Sequence, residues 1–513
     1  MSGEEIVEPP VFKGKPGRNH FESINYALGD LFPDVTSVGL EHVEDMFNVS
    51  DFSTVIGNFT ISQMGQVFKP SRLPSFVPKI RAPVVAHRQD TQRNNIFTYE
   101  NRNFNFERGN NDRLRDNVVS EAVNQFFLAY VDSAKYAEIC YDGVAVNNTM
   151  LREWYVGRTS HGKGALLREL KFSTDVKQEM SKFKLMVKGD LKPKLDGSAV
   201  DEISSGQNIV YHRRMICACF SNVFQQICLR LKNVLRDRVC LFHGTNLSDF
   251  GERVNSILTR DLNSYFCYEV DLSKYDKSQN DLTKMIELEI YRRLGMDEEL
   301  LDVWGASEFQ GFISTMGGSF KAEIGNQRRT GSSNTWIGNT IINMVLLSMT
   351  TDIDGLAAVA FSGDDSLILS TSEPRIRYED FSTHWGFDVK IIKQNVPYFC
   401  SKFLVKKGNS IVMVPDPVKL FFRMGKGQSD NINVMRERFI SFCDLTGEFV
   451  SEEVVYQVTH LCYARYGCSG FLLSAVSCIN CIRANFAQFM RCWDIVKHPE
   501  VCAEKCLTSL IPE

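Results

Sequence analysis

The chain has 513 residues, and its 58 Lys and Arg stand against 62 Asp and Glu for a formal net charge of −4. That length suggests about three structural units, and so even a balance points to no polyanionic or polycationic partner except through local clusters. Fifteen cysteines, an odd number, follow an N-terminus with no secretory apolar segment, and no window reaches the roughly 18 apolar residues of a membrane span. A soluble chain with reduced thiols is therefore expected, and a disulfide framework is excluded.

In chain order, residues 1–18 are polar and rich in Pro and Gly, and read as a loose arm. Arg72, Lys79, Arg81, Arg88 and Arg93 then form a basic stretch next to the aromatics Phe97, Tyr99, Phe104 and Phe106. Five lysines lie between Lys182 and Lys194, closely followed by Arg213 and Arg214. Such a run is either a solvated strand face or a channel for polyanions.

Residues 265–270 are aromatic and β-branched and predict a strand ending at Asp271. Asp276 follows five residues later, ahead of a helix signalled by Leu282, Met285, Ile286, Ile290 and Leu294 and stopped by Gly295. The stretch "QRRTGSSNTWIGNTIIN" opens as a Gly-Ser loop and becomes a helix carrying Thr335, Asn339 and Asn343 at a spacing of four, hence on one face. Ile341, Ile342, Leu346 and Leu347 make that helix apolar, so its amides are expected to be buried and hydrogen-bonded.

Residues 356–361 and 367–369 predict two strands with a turn over 362–365, which places Asp364 and Asp365 at a hairpin tip. Two carboxylates on a rigid turn are hard oxygen ligands suited to Mg²⁺, and Asp271 is the natural third acid. Taken alone, the tip could serve turn geometry only. Eight cysteines fall between Cys443 and Cys506, including "CINC" at Cys478 and Cys481. A zinc site would want a second such pair, so buried free thiols are expected.

Together these motifs resemble the viral RNA-dependent RNA polymerases of alphavirus-like positive-strand RNA viruses. Asp271 and Asp276 look like motif A, the pattern from Thr330 to Asn343 like motif B, and Ser362 to Asp365 like the Gly-Asp-Asp motif C, in the family's order. "KFKLMVKGDLKPKLD" with "IVYHRR" is similar to the basic motif F, and "FDVKIIKQ" and "YFCSKFLV" to motifs D and E. "DLSKYDKSQN", "YRRLG" and "QRRTG" look most like the plant closterovirus and crinivirus branch.

The resemblance implies an α+β right-hand polymerase with intertwined fingers, a palm built on an antiparallel sheet with helices, and a helical thumb. Its implied limits are an arm over 1–18, fingers over 19–261, palm with motif A over 262–305, a fingers insertion over 306–330, palm with motifs B, C and D over 331–400, and motif E with thumb over 401–513. It implies two Mg²⁺ ions, with Mn²⁺ as a substitute, on Asp271, Asp364 and Asp365. Lys390 would protonate the leaving pyrophosphate, with Lys393 as the alternative. Asp276, Thr335 and Asn339 would select the ribose, and Lys188, Lys192, Arg213, Arg328 and Gly331 would meet the triphosphate or template. The basic stretch at 72–93 would form the surface where template enters.

The implied partners are template and nascent RNA, ribonucleoside triphosphates, and a viral methyltransferase/helicase replication protein. The implied place is the host cytoplasm, in membrane-associated replication complexes reached through partners. A noncatalytic scaffold and a passive RNA-binding module are the rival classes. Three unneutralised acids argue against the first, and the Thr330 to Asn343 pattern against the second.

Overall fold

The strand Phe266–Ser273 alternates residues for two different interiors, and the rest of the central sheet is built around it. The computed structural model describes residues 20–33, 59–61, 75–81, 92–103, 112–172, 175–188, 207–315, 318, 320–425, 429 and 431–496. The arm over 1–18 lies outside the described residues. The central sheet runs Asp388–Gln394, Phe266–Ser273, Asp365–Ser370, Leu356–Ser362, Val239–Leu241. All its pairings are antiparallel except that of Val239–Leu241 with Leu356–Ser362.

Tyr268, Val270, Leu272, Ile368, Val359 and Phe361 point from one face into the main core, which is shared with the helices Asp112–Tyr130 and Thr335–Thr350. Cys267, Leu367, Leu369, Ala358 and Ala360 point the other way, onto Phe399, Leu404 and Met413. Those three belong to a three-stranded sheet, Tyr398–Phe399, Lys402–Lys407, Ser410–Pro415. The fold class is α+β, as expected.

The strands reach further than the sequence suggested. Phe266–Ser273 continues through Asp271, because both neighbouring strands supply ladder partners there. The hairpin pairs Ser362 with Asp365 and leaves only Gly363 and Asp364 as its turn. Gly363 has φ of 64°, the left-handed conformation that a two-residue hairpin requires.

A second sheet is assembled from distant segments in the order Phe59–Ile61, Phe320–Ile324, Gly311–Thr315, Lys182–Val187, Asn208–His212. Phe183, Leu185, Val210, Ile313 and Phe320 bury one face against Tyr99. The C-terminal helices Pro417–Gly425, Ile432–Leu445, Glu452–Tyr466 and Leu472–Arg483 enclose a further core.

Two elements of residues 19–261 pack with distant parts of the chain. The helix His20–Leu31 buries Ile24, Ala27 and Leu28 in the C-terminal core, and Val239–Leu241 extends the central sheet. Both follow from apolar burial across the chain rather than from sequence proximity. The thirteen described cysteines are all free, and burial pushes the thiols of Cys462, Cys478 and Cys492 up.

Beneath the helix Thr335–Thr350 lies a fully buried set of charges. Arg328 makes a two-pronged pair with Glu287, at 2.9 and 2.7 Å, from the helix Asp281–Arg293. Lys284 stands 2.6 Å from Glu308, and Asn334 donates to Glu287 and Glu308 at 2.8 and 3.2 Å. Burial alone would push the Glu308 carboxyl up, but Lys284, Arg329 and Arg328 pull it down to about 2. Arg328 packs against the Gly338 backbone, where a Cβ would run into its guanidinium and Glu287 Oε1. Parting a buried ion pair costs about 3–5 kcal/mol. Gly338→Ala is therefore expected to lower stability by about 3 kcal/mol, read as a drop in the urea unfolding midpoint; an unchanged midpoint would show that the pair tolerates separation.

Candidate active site

Asp271 lies in the strand Phe266–Ser273 between two partners. Lys390 pairs across from it on one side. On the other side Val270 pairs with Ser366, so the register continued by one residue sets Asp365 beside Asp271. Asp271, Asp364 and Asp365 are all exposed. Glu269, two residues back on the same face, has its carboxyl pushed up, first by burial and then by the charges of Asp365 and Asp271, while Arg465 pulls it down. The two strand acids thus act on one site. Asp364 projects from the turn towards Asp276, and both line a cavity of about 140 Å³ together with Arg102, Lys274, Gln207 and Thr330.

The same register decides between the two lysines. Lys390 is exposed on the face of Asp271. Lys393, an odd number of residues away, lies on the opposite face, 3.2 Å from Glu373 and with its ammonium 5.0 Å above the Phe266 ring.

The hairpin tip is held by the helix Thr335–Thr350. Asn343 Nδ2 donates to the Gly363 carbonyl at 3.1 Å, and the Gly363 N–H donates to Thr340 Oγ1 at 3.0 Å. Trp336 Nε1 donates to Ser362 Oγ at 3.2 Å, and Ser362 donates to the Phe242 carbonyl at 3.0 Å. The sequence pointed to Asn343 on a buried polar face. Thr340 lies in the Thr330 to Asn343 pattern without an assigned role, and Trp336 was not singled out, because both fall outside the row of Thr335, Asn339 and Asn343.

Asn339 Nδ2 donates to Asp276 Oδ1 at 3.1 Å. Its orientation is set by its oxygen, which accepts from Gln279 Nε2 at 2.9 Å and Arg328 Nε at 2.8 Å. Burial pushes the Asp276 carboxyl up, while the Asn339 hydrogen bond and the Arg328 charge pull against it. Thr335 is not brought to this pair: its hydroxyl lies 2.8 Å from the Ser332 carbonyl and 2.9 Å from that of Arg329, closing the loop before the helix.

The other expected substrate contacts lie in varied surroundings. Arg328 is 1% exposed, its guanidinium pairs with Glu287 and orients Asn339, and it lines the cavity of Asp276 and Asp364. Gly331 is a close-approach glycine whose N–H bonds the Val210 carbonyl at 2.9 Å; a Cβ would come within 2.8 Å of Ile209 and 2.9 Å of Tyr211. Arg213 pairs with Glu179 at 3.0 Å and lines a different cavity. Lys188 Nζ lies 3.4 Å from the side chain of Gln207, which lines the Asp276 cavity. Lys192 lies outside the described residues, as do Arg72, Arg88, Phe104, Phe106 and the side chains of Arg93 and Phe97. Lys79 pairs with Asp494 at 3.3 Å, the Arg81 N–H bonds Asn25, and Tyr99 is core.

Among the described residues no three His, Cys, Asp or Glu side chains converge closely enough to hold an ion by themselves. The donor set nonetheless suits Mg²⁺, which is commonly held by one or two carboxylates and completed by substrate phosphates rather than caged by protein. Exposed carboxylates on two adjacent strands and a turn leave room for that completion.

A family model described as RNA dependent RNA polymerase matches residues 49–492. The replicase polyprotein 1ab of Grapevine leafroll-associated virus 3 is 36% identical over 486 residues, covering 94% of this chain and 18% of that protein. The corresponding polyprotein of Beet yellows virus is 34% identical over 498 residues, with 94% and 16% covered. The RNA-directed RNA polymerase 2a of Brome mosaic virus is 28% identical over 327 residues, with 61% and 39% covered. The chain thus spans less than a fifth of the two polyproteins, and over most of its own length it belongs to the RNA-dependent RNA polymerase family.

Proposed function

We propose that this polymerase copies viral RNA by joining ribonucleotides at Asp271, Asp364 and Asp365, in a right-hand arrangement with the central sheet as palm. The second sheet, with the helices between Asp112 and Val234, forms the fingers, and the C-terminal helices form the thumb. The observation that carries this reading is the strand register, which sets Asp365 beside Asp271 and turns Asp364 towards Asp276.

Asp271 and Asp365, with Asp364, would hold two Mg²⁺ ions, or Mn²⁺ in their place; when bound, such ions supply an acidified 3′-hydroxyl and charge neutralisation at the leaving pyrophosphate. Lys390, on the same face as Asp271, donates a proton to that leaving group. Asp276 and Asn339 hydrogen-bond the ribose 2′-hydroxyl, and Arg328 with Gln279 fixes the amide that does so. A deoxyribose leaves these polar groups unpaired, which disfavours it.

Substrates are ribonucleoside triphosphates and an RNA template, and the product is nascent RNA. A companion methyltransferase/helicase replication protein is a proposed partner, supported by relatives that are long replicase polyproteins. No helix is long and apolar enough to cross a membrane among the described residues. Attachment to membrane-bound replication complexes in the host cytoplasm would therefore run through partners.

Primer extension on an RNA template with Mg²⁺ tests the assignments. Asp364→Ala is expected to slow extension by about 10³-fold, the equivalent of about 4 kcal/mol of transition-state stabilisation; near-normal extension would remove Asp364 from the site. Asp276→Ala is expected to reduce discrimination of ribo- over deoxynucleotides by about 10- to 100-fold, the worth of one or two lost hydrogen bonds. An unchanged ratio in competition assays would place sugar choice elsewhere. Lys390→Ala is expected to cost about 10²-fold in single-turnover rate. Lys393→Ala should stay near wild type, and the reverse order would exchange their roles.

A further inference from the structure

The loop that leaves the strand Val239–Leu241 carries an imidazole that the site described above does not use. Phe242 takes the ladder one residue further, its N–H donating to the Phe361 carbonyl at 3.0 Å. Its ring packs against Phe250 and Phe399, with centroids 5.0 and 6.2 Å apart, under the Lys402 ammonium at 4.9 Å. His243 follows, and its ring lies on the indole of Trp336, with centroids 4.0 Å apart and planes inclined by 22°.

The backbone on either side keeps that imidazole in place. Lys232, on the helix Arg214–Val234, donates to the His243 carbonyl. Gly244 comes next with φ of 58°, a left-handed conformation that turns the chain away directly after the ring. Burial first, and then the Lys232 charge, push the His243 pKa down, so near pH 7 the indole meets a neutral imidazole.

What the indole holds gives the stack its meaning. Trp336 is half-buried in the first turn of the helix Thr335–Thr350, and its Nε1 donates to Ser362 Oγ at 3.2 Å. Ser362 in turn donates to the Phe242 carbonyl at 3.0 Å and is the ladder partner of Asp365. Phe242, Ser362, Trp336 and His243 therefore close a circuit that begins and ends on adjacent residues. A donor at 3.2 Å is at the long end of hydrogen bonding and does not by itself fix a side chain. The imidazole closes the indole face that would otherwise be free to swing. Asn343 and Thr340 fix the turn at Gly363, whereas this circuit fixes Ser362, the residue opposite Asp365.

We infer that His243 is a positioning residue for Asp365: stacked on Trp336, it steadies the indole that holds Ser362, and so sets where the Asp365 carboxylate meets a divalent cation. The inference rests on the polymerase reading above, in which Asp365 is a metal ligand. The circuit serves the cation rather than the sugar, because its hydrogen bonds end on the hairpin, while Asp276 and Asn339 are held by Gln279 and Arg328. Supporting contacts of this kind hold a ligating group within the narrow tolerance that metal binding requires.

Mn²⁺ binding to the full chain, followed by loss of the electron paramagnetic resonance signal of the free ion, tests this without turnover. Wild type, His243→Ala, His243→Phe, Trp336→Phe and Asp365→Ala are compared, with a urea midpoint for each as the check on folding. His243→Ala is expected to weaken binding about threefold to tenfold, the worth of one aromatic pair. Trp336→Phe keeps a ring but loses the N–H, and is expected to weaken it about fivefold. His243→Phe keeps a ring face for the indole and is expected to stay within about twofold of the wild type. The double variant His243→Ala/Trp336→Phe is expected to be no weaker than the worse single one, since both break one circuit. Wild-type Mn²⁺ affinity in folded His243→Ala and Trp336→Phe would overturn the inference, and a lowered urea midpoint alone would reduce the stack to a structural role. Equal losses in His243→Ala and His243→Phe would also overturn it. So would a loss of single-stranded RNA affinity in His243→Ala with Mn²⁺ binding intact, which would make the imidazole an RNA contact. Asp365→Ala separates the two readings: wild-type Mn²⁺ binding in that variant counts against the metal site itself, whereas impaired binding there with His243→Ala unaffected removes His243 alone.

Discussion

The buried pairing of Arg328 with Glu287 is the interaction on which the rest of the site depends. Two charges removed from water are tolerable only when geometry and further hydrogen bonds satisfy them. Here Glu287 also accepts from Asn334 and from Tyr291, the latter at 2.6 Å, and the guanidinium Nε is spent on Asn339. Lys284, Arg328 and Arg329 bring three cations to two carboxylates, so a positive field remains beneath the Asp276 carboxylate. The cluster therefore acts as a fixed electrostatic floor. It ties the helix Asp281–Arg293 to the loop and helix that carry Arg328, Asn334 and Asn339.

Above that floor the chemistry is divided by exposure. Asp276 and Asn339 are orientated by buried partners, so their geometry is preorganised. Asp271, Asp364 and Asp365 stand in solvent, held through backbone: ladder bonds fix the two strand acids, and Asn343 and Thr340 grip Gly363 at the turn. In the proposed reading, this would separate recognition of a sugar, which needs rigid dry donors and acceptors, from the handling of charge, which needs carboxylates still open to ligands.

Local pattern made much of this legible. Apolar residues around Asn339 and Asn343 foretold that those amides would be buried, and the spacing of acids around Asp271 and Asp364 foretold which strands must meet. The buried pairing of Arg328 was not legible, because a pair of arginines before a Gly-Ser loop has the composition of a phosphate-binding turn; its partner, Glu287, lies 41 residues upstream on a helix whose pattern gives no hint of a buried carboxylate. The packing at Gly331 was hidden for a similar reason, since its missing Cβ accommodates Ile209 and Tyr211, more than a hundred positions away. Thr335 satisfied the four-residue period yet sits in the first helical turn, where carbonyls of the preceding loop claim its hydroxyl. The assembly of the second sheet, and the joining of His20–Leu31 to the C-terminal core, depend on strand and helix partners that no window of periodicity contains.

The strand Asn208–His212 carries a consequence of its own. Its side chains border two compartments: Asn208 lines the cavity of Asp276 and Asp364, while Ile209, Tyr211 and His212 line a larger one shared with Arg213. A slip of one residue would change which side chains face each cavity. The strand is pinned against such slippage from both sides, by pairing with Lys182–Val187 and by the Gly331 amide on the Val210 carbonyl. Through this one pinned strand, the walls of the two cavities are parts of a single rigid element.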